Sequence, residues 1–432
     1  MHRRTLAAAA ALTLACALIA PAATAKSKTT ATEHVTFTSW NFRDSAPRGS
    51  YDGTVDSGPA LTLATPTTTR TYTDPYAASP TPRTYDEGDW VSPNVNTPFG
   101  LTELVSSWNA HTPGGSWIEV SVQGVADTGA TSKWYVLGRW ADNDVDFHPT
   151  SVSGQGDGLA TVSVDTLVAL NGHTFGSYHI RLALMRPSTT GTSTVTPTVS
   201  LAGAMASNVP AVKKPPVSPT TMTQATVLNV PPYSQELHRG EFPEYDNGGE
   251  AWCSPTSTSM VVAYWGDSPT ASDLQYVYDS YPNVVDPQVD YAARHVFDYS
   301  YDGAGNWPFN TAYAATYGLD GFVTRLRSLA EAEQFIKAGI PLVVSVSFKK
   351  SELDGAGYST NGHLMVIVGF TADGNVVVND PASHLIASDD QVRTTYDRAQ
   401  FESVWVGHTG GIAYVIHPAS VPLPRALAEA NW

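Results

Sequence analysis

Cysteine is nearly absent: Cys16 and Cys253 are the only two in 432 residues. Cys16 falls in a segment that reads as removable, so a disulfide framework is excluded. Basic residues are also scarce, 24 against 40 acidic ones for a formal net charge of −16. Nucleic-acid phosphates and anionic lipid surfaces would repel such a chain, so neither is an expected partner. Long apolar runs are missing as well. The run from Leu6 to Ile19 is short for a membrane span and is followed closely by Pro21. Preceded by Met1-His2-Arg3-Arg4 and followed by Ala23-Thr24-Ala25, it reads as a secretory signal peptide over 1–25, cut after Ala25. A lipoprotein reading also exists, because Leu14-Ala15 precede Cys16, but the apolar segment continues beyond that cysteine. The expected protein is therefore secreted, has no membrane span and carries one unpaired cysteine, Cys253. In an oxidising compartment such a residue is an intermolecular partner, a reactive thiol or a buried apolar side chain.

Thr, Ser, Gly, Tyr and Trp are plentiful, which suits an exported, β-rich protein. About 400 residues exceed what one core usually holds, so two domains are expected. Over 33–206 short alternating runs are separated by turn residues. "WIEVSVQGV" (117–125), "KWYVLGRWA" (133–141), "LATVSVDTL" (159–167) and "YHIRLALMR" (178–186) each read as a strand, and together they predict an all-β sandwich or jelly roll. Within it, Asp142, Asp144 and Asp146 alternate in a manner that suits calcium, but the glycine and distal glutamate of a helix–loop–helix site are missing, and a solvated loop is the preferred reading. Trp108, Trp117, Trp134 and Trp140 fit either the core or a face that stacks on sugar, which leaves a surface or carbohydrate ligand open for this domain. Residues 207–226, rich in proline, read as a stiff linker.

Residues 227–420 change character, and a tail follows over 421–432. Ser254-Pro255 open a segment whose Met260, Val261, Tyr264 and Trp265 recur at helical spacing until Gly266. Further helices are predicted near Ser272–Tyr278, Pro287–Phe297 and Leu329–Ala338, the last with a Ser328/Glu331 capping box and Gly339 after its end. Strands are predicted at 341–348, 363–370, 375–380 and 411–418, so this domain is α+β. Cys253 lies one or two residues before the first helix, where the helix N-terminus would stabilise negative charge on sulfur. A base is needed, and His238, His295, His363, His384, His408 and His417 are available. His363 stands at the mouth of a strongly apolar strand, and Asp380 closes the next strand across the "ADGN" turn (372–375). The hairpin makes these two near neighbours, although a strict two-residue turn at Asp373-Gly374 would set His363 opposite His384. Cysteine, histidine and an acid in this arrangement suit nucleophilic thiol chemistry. The Cys253 N–H and the Gln235 side-chain amide in "VPPYSQEL" are candidate oxyanion donors.

"VPPYSQ", "WCSPTSTSMVVAYWG", "GHLMVIVGF" and "VVVNDPA", in that order, resemble the papain-like cysteine peptidases, and most closely the bacteriocin-leader-processing type, peptidase family C-thirty-nine, and its secreted relatives. The resemblance spans about residues 227–418. It implies helices packed on an antiparallel sheet, with Cys253 as nucleophile, His363 as general base, Asp380 as the acid orienting the ring and Gln235 as oxyanion donor. Trp252 and Ser254 replace the usual Asp or Gly beside the nucleophile, and no transporter or nucleotide-binding segment accompanies the motifs, so cleavage of a double-glycine leader is not implied. The expected activity is hydrolysis of a peptide or protein substrate through a thioester, with no metal or cofactor. The alternatives are transglutaminase-type or cell-wall-amidase-type acyl transfer on the same fold, or an inactive binding or adhesion protein.

Overall fold

Period-two alternation is clearest around Tyr178, Ile180, Leu182 and Leu184, which point to one side and are at most 1% exposed. They belong to the strand Phe175–Pro187. The protein is described by a computed structural model over residues 33–432, apart from 45–48, 67, 189–194, 211–213 and 427–428. The expected signal peptide and Cys16 lie outside the described residues. Residues 33–432 pack as one compact unit.

Among the described residues, the N-terminal half holds two seven-stranded antiparallel sheets. One is centred on Phe175–Pro187, paired with Trp117–Ala126 and Pro82–Val91. The other is centred on Thr198–Asn208, paired with His34–Asn41 and Glu103–His111. Their facing sides share a core that includes Trp90, Trp108, Val120, Trp140 and Leu182. Burial of Trp108, Trp117 and Trp140 removes three of the four rings from any sugar-stacking face, and Trp134 lies under Arg181. The run 159–167 is two strands, Ala160–Ser163 and Thr166–Ala169, joined at Val164-Asp165 with Val164 at φ 56°. Asp165 is held there by the Trp307 N–H from the other half of the chain, a tertiary contact that overrides the local strand preference.

In the C-terminal half the seven-stranded sheet runs in the order Asp320–Arg325, Ile412–His417, Leu342–Phe348, Thr360–Phe370, Val376–Asn379 and Arg393–Tyr396, with Thr226–Val227 also paired to Thr360–Phe370. The helices are α1 (Cys253–Tyr264), α2 (Gln275–Ser280), α3 (Gln288–His295), α4 (Trp307–Ala315), α5 (Leu329–Lys337) and α6 (Arg398–Glu402). The α+β reading stands. Helix α4, with its Asn306 cap and Pro308 in the first turn, and the strand Asp320–Arg325 are additions to the expected elements.

The outer edge of Asp320–Arg325 meets the N-terminal half. Ser107 and Asn109 point away from the sandwich core and bond its backbone: Val323 N–H donates to Ser107 Oγ (2.9 Å), and Asn109 Nδ2 donates to Gly321 O (2.7 Å). Side chains of one half thus cap a strand edge of the other. Asp144 is a second tie. Rather than lying in a solvated loop, it is buried against Arg294 of α3 (2.6 Å) and Tyr299 (2.8 Å). The neighbouring Asp142 faces His111 and Asp146 faces Arg83, so each of the three carboxylates has its own basic partner. Breaking a largely buried pair leaves an uncompensated charge, so Asp144→Ala is expected to lower stability by about 3 kcal/mol, checked by denaturant titration. The segment after 213 is also tied down: Thr220 and Thr221 bond Glu333 of α5, and Arg398 of α6 bonds Ser218 O.

Candidate active site

Cys253 is the first residue of α1, slightly later in the helix than its sequence position suggests, with Trp252 as the cap. In a first turn its backbone N–H has no intrahelical acceptor. Pro255 is tolerated because a proline lacks only an N–H that would be unpaired there. The polar face of α1 is buried along with the apolar one. Its hydroxyls reach neighbouring elements: Ser254 to Tyr414 OH (3.0 Å), Ser257 to Leu364 O (3.2 Å) and Thr258 to Asn310 (3.2 Å). These hydroxyls therefore tie the helix to two strands of the sheet and to α4, and Cys253 at its tip stays half-buried and without a disulfide. Trp252 is fully buried with its indole N–H on Tyr245 O (2.6 Å).

His363 sits on the strand Thr360–Phe370, opposite Val346. The turn to the next strand contains three residues, 372–374, closed by Thr371 N–H to Asn375 O (2.9 Å), with Gly374 at φ 88°. That turn alone would pair Phe370 with Val376 and, carried along the ladder, would put Asp380 on the face opposite His363. A register shift between Ile367 and Gly369 then pairs Val366 with Asn379. One residue of slip exchanges the two faces of a strand, so this bulge brings Asp380 onto the side of His363.

His363 Nε2 donates to Asp380 Oδ1 at 2.8 Å, which leaves Nδ1 as the ring's other nitrogen, and the Cys253 sulfur lies close enough to act on the ring electrostatically. Asp380 is fully buried and satisfied. It accepts from Tyr358 OH (3.0 and 2.9 Å), Tyr396 OH (2.9 Å) and Ala382 N–H (3.1 Å) besides the imidazole. Burial disfavours charge on both groups. The Asp380 charge, the sulfur beside it and their hydrogen bonds overcome this for His363, raising it to about 10. For Asp380, burial is outweighed by the imidazolium and by donors from His363, Tyr396 and Tyr358, which hold the carboxyl below its ordinary value.

Gln235 opens a short 3-10 turn, Gln235–His238, with its N–H on Pro381 O (3.0 Å) and its Nε2 on Glu250 O (2.8 Å). One amide proton is thereby held, and the side-chain oxygen is buried without a partner among the described residues. Gly249 permits this approach, since a Cβ there would lie 2.4 Å from Gln235 O. Gln235, Cys253 and His363 line one pocket of about 650 Å³, together with Tyr301, Trp307 and Leu385. A neighbouring hollow of about 670 Å³ around Lys349 and His408 contains none of the three. The other histidines lie elsewhere: His295 bonds Tyr291 O, His384 bonds Ser383, His408 bonds Ser347 O, His417 bonds Val421 O, and His238 faces Glu241 and Asp290. Tyr358, Tyr396, Tyr301 and Trp307 are the site residues sequence reasoning did not single out. Each sits in a turn or short element, and no periodicity marks it.

Residues 227–411 match the family described as Peptidase_C39 like family, and residues 22–207 match the one described as Peptidase C39 N-terminal domain. No curated protein matches the chain. Among solved structures, one described as a C39-like peptidase from Bacillus anthracis is 19% identical, covers 44% of this chain and 97% of its own, and aligns with a TM-score of 0.28.

Proposed function

Since residues 227–411 carry a C39-like peptidase domain, we propose that the protein is a secreted thiol peptidase that works through Cys253, His363 and Asp380. What carries the reading is the Asp380-held imidazole and the Cys253 sulfur facing one pocket, with the Gln235 amide beside them. His363 takes the thiol proton, and the thiolate attacks the substrate carbonyl carbon. The oxyanion accepts from the Cys253 N–H and from the second Gln235 amide proton. As the C–N bond breaks, His363 gives its proton to the leaving amine and a thioester remains. Water, deprotonated by His363, then hydrolyses the thioester and restores the thiol. Asp380 holds the ring's orientation and its charge throughout.

The N-terminal half, read as a sandwich or jelly-roll domain over 33–206 joined through 207–226, supplies a wall of the substrate cleft in this proposal. Tyr301, Gly305 and Trp307 line both the Cys253 pocket and a second hollow of about 300 Å³ whose far side includes Glu103 and Asp165. A peptide chain leaving the sulfur in that direction would run onto the 160–169 hairpin. Export follows from the reading of residues 1–25, and N-terminal sequencing of the protein from culture supernatant tests it.

Proteome-wide cleavage profiling with wild type and Cys253→Ala side by side tests the activity, and peptidoglycan fragments run in parallel separate peptide from cell-wall amide chemistry. New peptide termini that depend on Cys253 are expected; their absence would overturn the proposal. Gln235→Ala is expected to lower kcat by about 10²-fold with KM little changed, because an oxyanion donor acts in the transition state and not in the ground state.

A further inference from the structure

Behind the cleft lies a cluster the peptidase reaction does not use. His238 Nδ1 is 2.9 Å from Glu241 Oε2 and 3.0 Å from Asp290 Oδ2. His238 and Asp290 are buried, and Glu241 is partly open to solvent. A ring nitrogen carries one proton and can direct it at one acceptor. Here it serves Glu241, and both Asp290 oxygens are left without a hydrogen-bond partner among the described residues. Two carboxylates around one imidazole leave net negative charge in a buried place even when the ring is protonated, which is costly without a cation.

A divalent cation resolves the deficit. A neutral imidazole and two carboxylates sum to −2, which such an ion cancels. The three ligand atoms lie within 4.8 Å of one another. Tetrahedral zinc with bonds of about 2.0–2.1 Å would separate its ligands by about 3.4 Å, reachable by small outward rotations of Glu241 and Asp290. One nitrogen and two oxygens suit zinc better than calcium, which takes six to eight oxygens. The partly exposed Glu241 gives an entry path, and a water from solvent would be the fourth ligand.

We propose that His238, Glu241 and Asp290 bind a zinc-class divalent cation through one imidazole nitrogen and two carboxylate oxygens. The ion would fasten the Gln235–His238 turn to α3, and so fix Gln235, which lines the Cys253 pocket. The site lies next to the residue before Cys253, since the centroid of the His238 ring is 6.2 Å from that of Trp252.

The test uses the untagged full chain with Cys16→Ala and Cys253→Ala, so that no thiol competes for metal and the outcome is independent of the peptidase reading. After chelator treatment, zinc chloride is titrated with calorimetry and bound metal is counted by elemental analysis. One equivalent is expected, with an unfolding midpoint raised by about 3 °C at a hundredfold excess over Kd. Asp290→Asn and Glu241→Gln should each abolish the equivalent. No binding, or an equivalent that survives both substitutions, would overturn the proposal. Should those variants not fold, X-ray absorption at the zinc edge of the thiol-free parent decides. A first shell of nitrogen and oxygen with one imidazole supports the site, and two or more imidazoles would refute it.

Discussion

Replacing Cys253 with alanine should reduce peptide hydrolysis by at least about 10⁴-fold while leaving the fold intact. The size follows from what remains. Without sulfur no thioester forms, His363 has only water to activate, and the oxyanion donors and cleft supply what residual catalysis survives. The fold is spared because Cys253 is only half-buried at the tip of α1, whose hold on the protein comes from Ser254, Ser257 and Thr258 further along. Removing one partly buried sulfur costs about 1 kcal/mol or less. Initial rates on a cleavable peptide, together with a denaturant titration, check both halves of the claim. Retention of a tenth of the wild-type rate would show that another group performs the attack. A companion measurement reads the imidazole: alkylation of Cys253 by iodoacetamide near neutral pH should slow in His363→Ala, and an unchanged rate would mean that the ring does not govern the sulfur.

Much of this site is legible from local pattern, and its decisive geometry is not. Helix α1 announces itself through Met260, Val261, Tyr264 and the closing Gly266, and the strand of His363 through the unbroken run Leu364 to Phe370. Both signals come from neighbours in sequence. The alignment of His363 with Asp380 depends on two departures of one residue each, the three-residue turn at 372–374 and the bulge near Val368. Either alone would reverse the face, and neither leaves a compositional trace strong enough to count residues by. The two tyrosines on Asp380 come from a loop and from a strand two places along the sheet, so their meeting is wholly tertiary. Asp144 illustrates the opposite error. Three alternating aspartates look solvated in one dimension, but Arg294 arrives from 150 residues away and makes the middle one a buried tie. Likewise Trp108 and Trp140, which suit a binding face, are consumed by packing between the sheets, and Trp117 by a smaller cluster with Tyr85 and Phe147.

Asp380→Asn should cost about 10⁴-fold in kcat and should also change how rate and stability depend on pH. The amide keeps the shape of the carboxylate, and Tyr358 and Tyr396 can turn their hydroxyls to accept from its NH₂, so the substitution tests charge more than packing. Losing the charge removes the largest influence that raises His363, and only the Cys253 sulfur and the hydrogen bond to the amide then oppose burial. The imidazolium that protonates the leaving amine becomes scarce, and the alkaline limb of the kcat profile, expected near pH 10 in the wild type, should move down by more than one unit. Stability should follow the same linkage. His363 rises from 6.5 to about 10 on folding, so its contribution is complete below 6.5 and is lost as pH climbs through 10. Asp380 is lowered from 3.8, so its contribution is present above that value and fades as pH falls through the depressed folded one. Wild-type stability should therefore decline on both sides, and Asp380→Asn should flatten both slopes in denaturant titrations at pH 3, 7 and 9.5. Asp380→Ala separates charge from cavity. It strands two buried phenol hydroxyls and a buried imidazole, and should destabilise the fold by about 3–5 kcal/mol, well beyond the asparagine variant. If the asparagine variant instead kept wild-type kcat and an alkaline limb near pH 10, the Asp380 carboxylate could not be what holds the charge on His363.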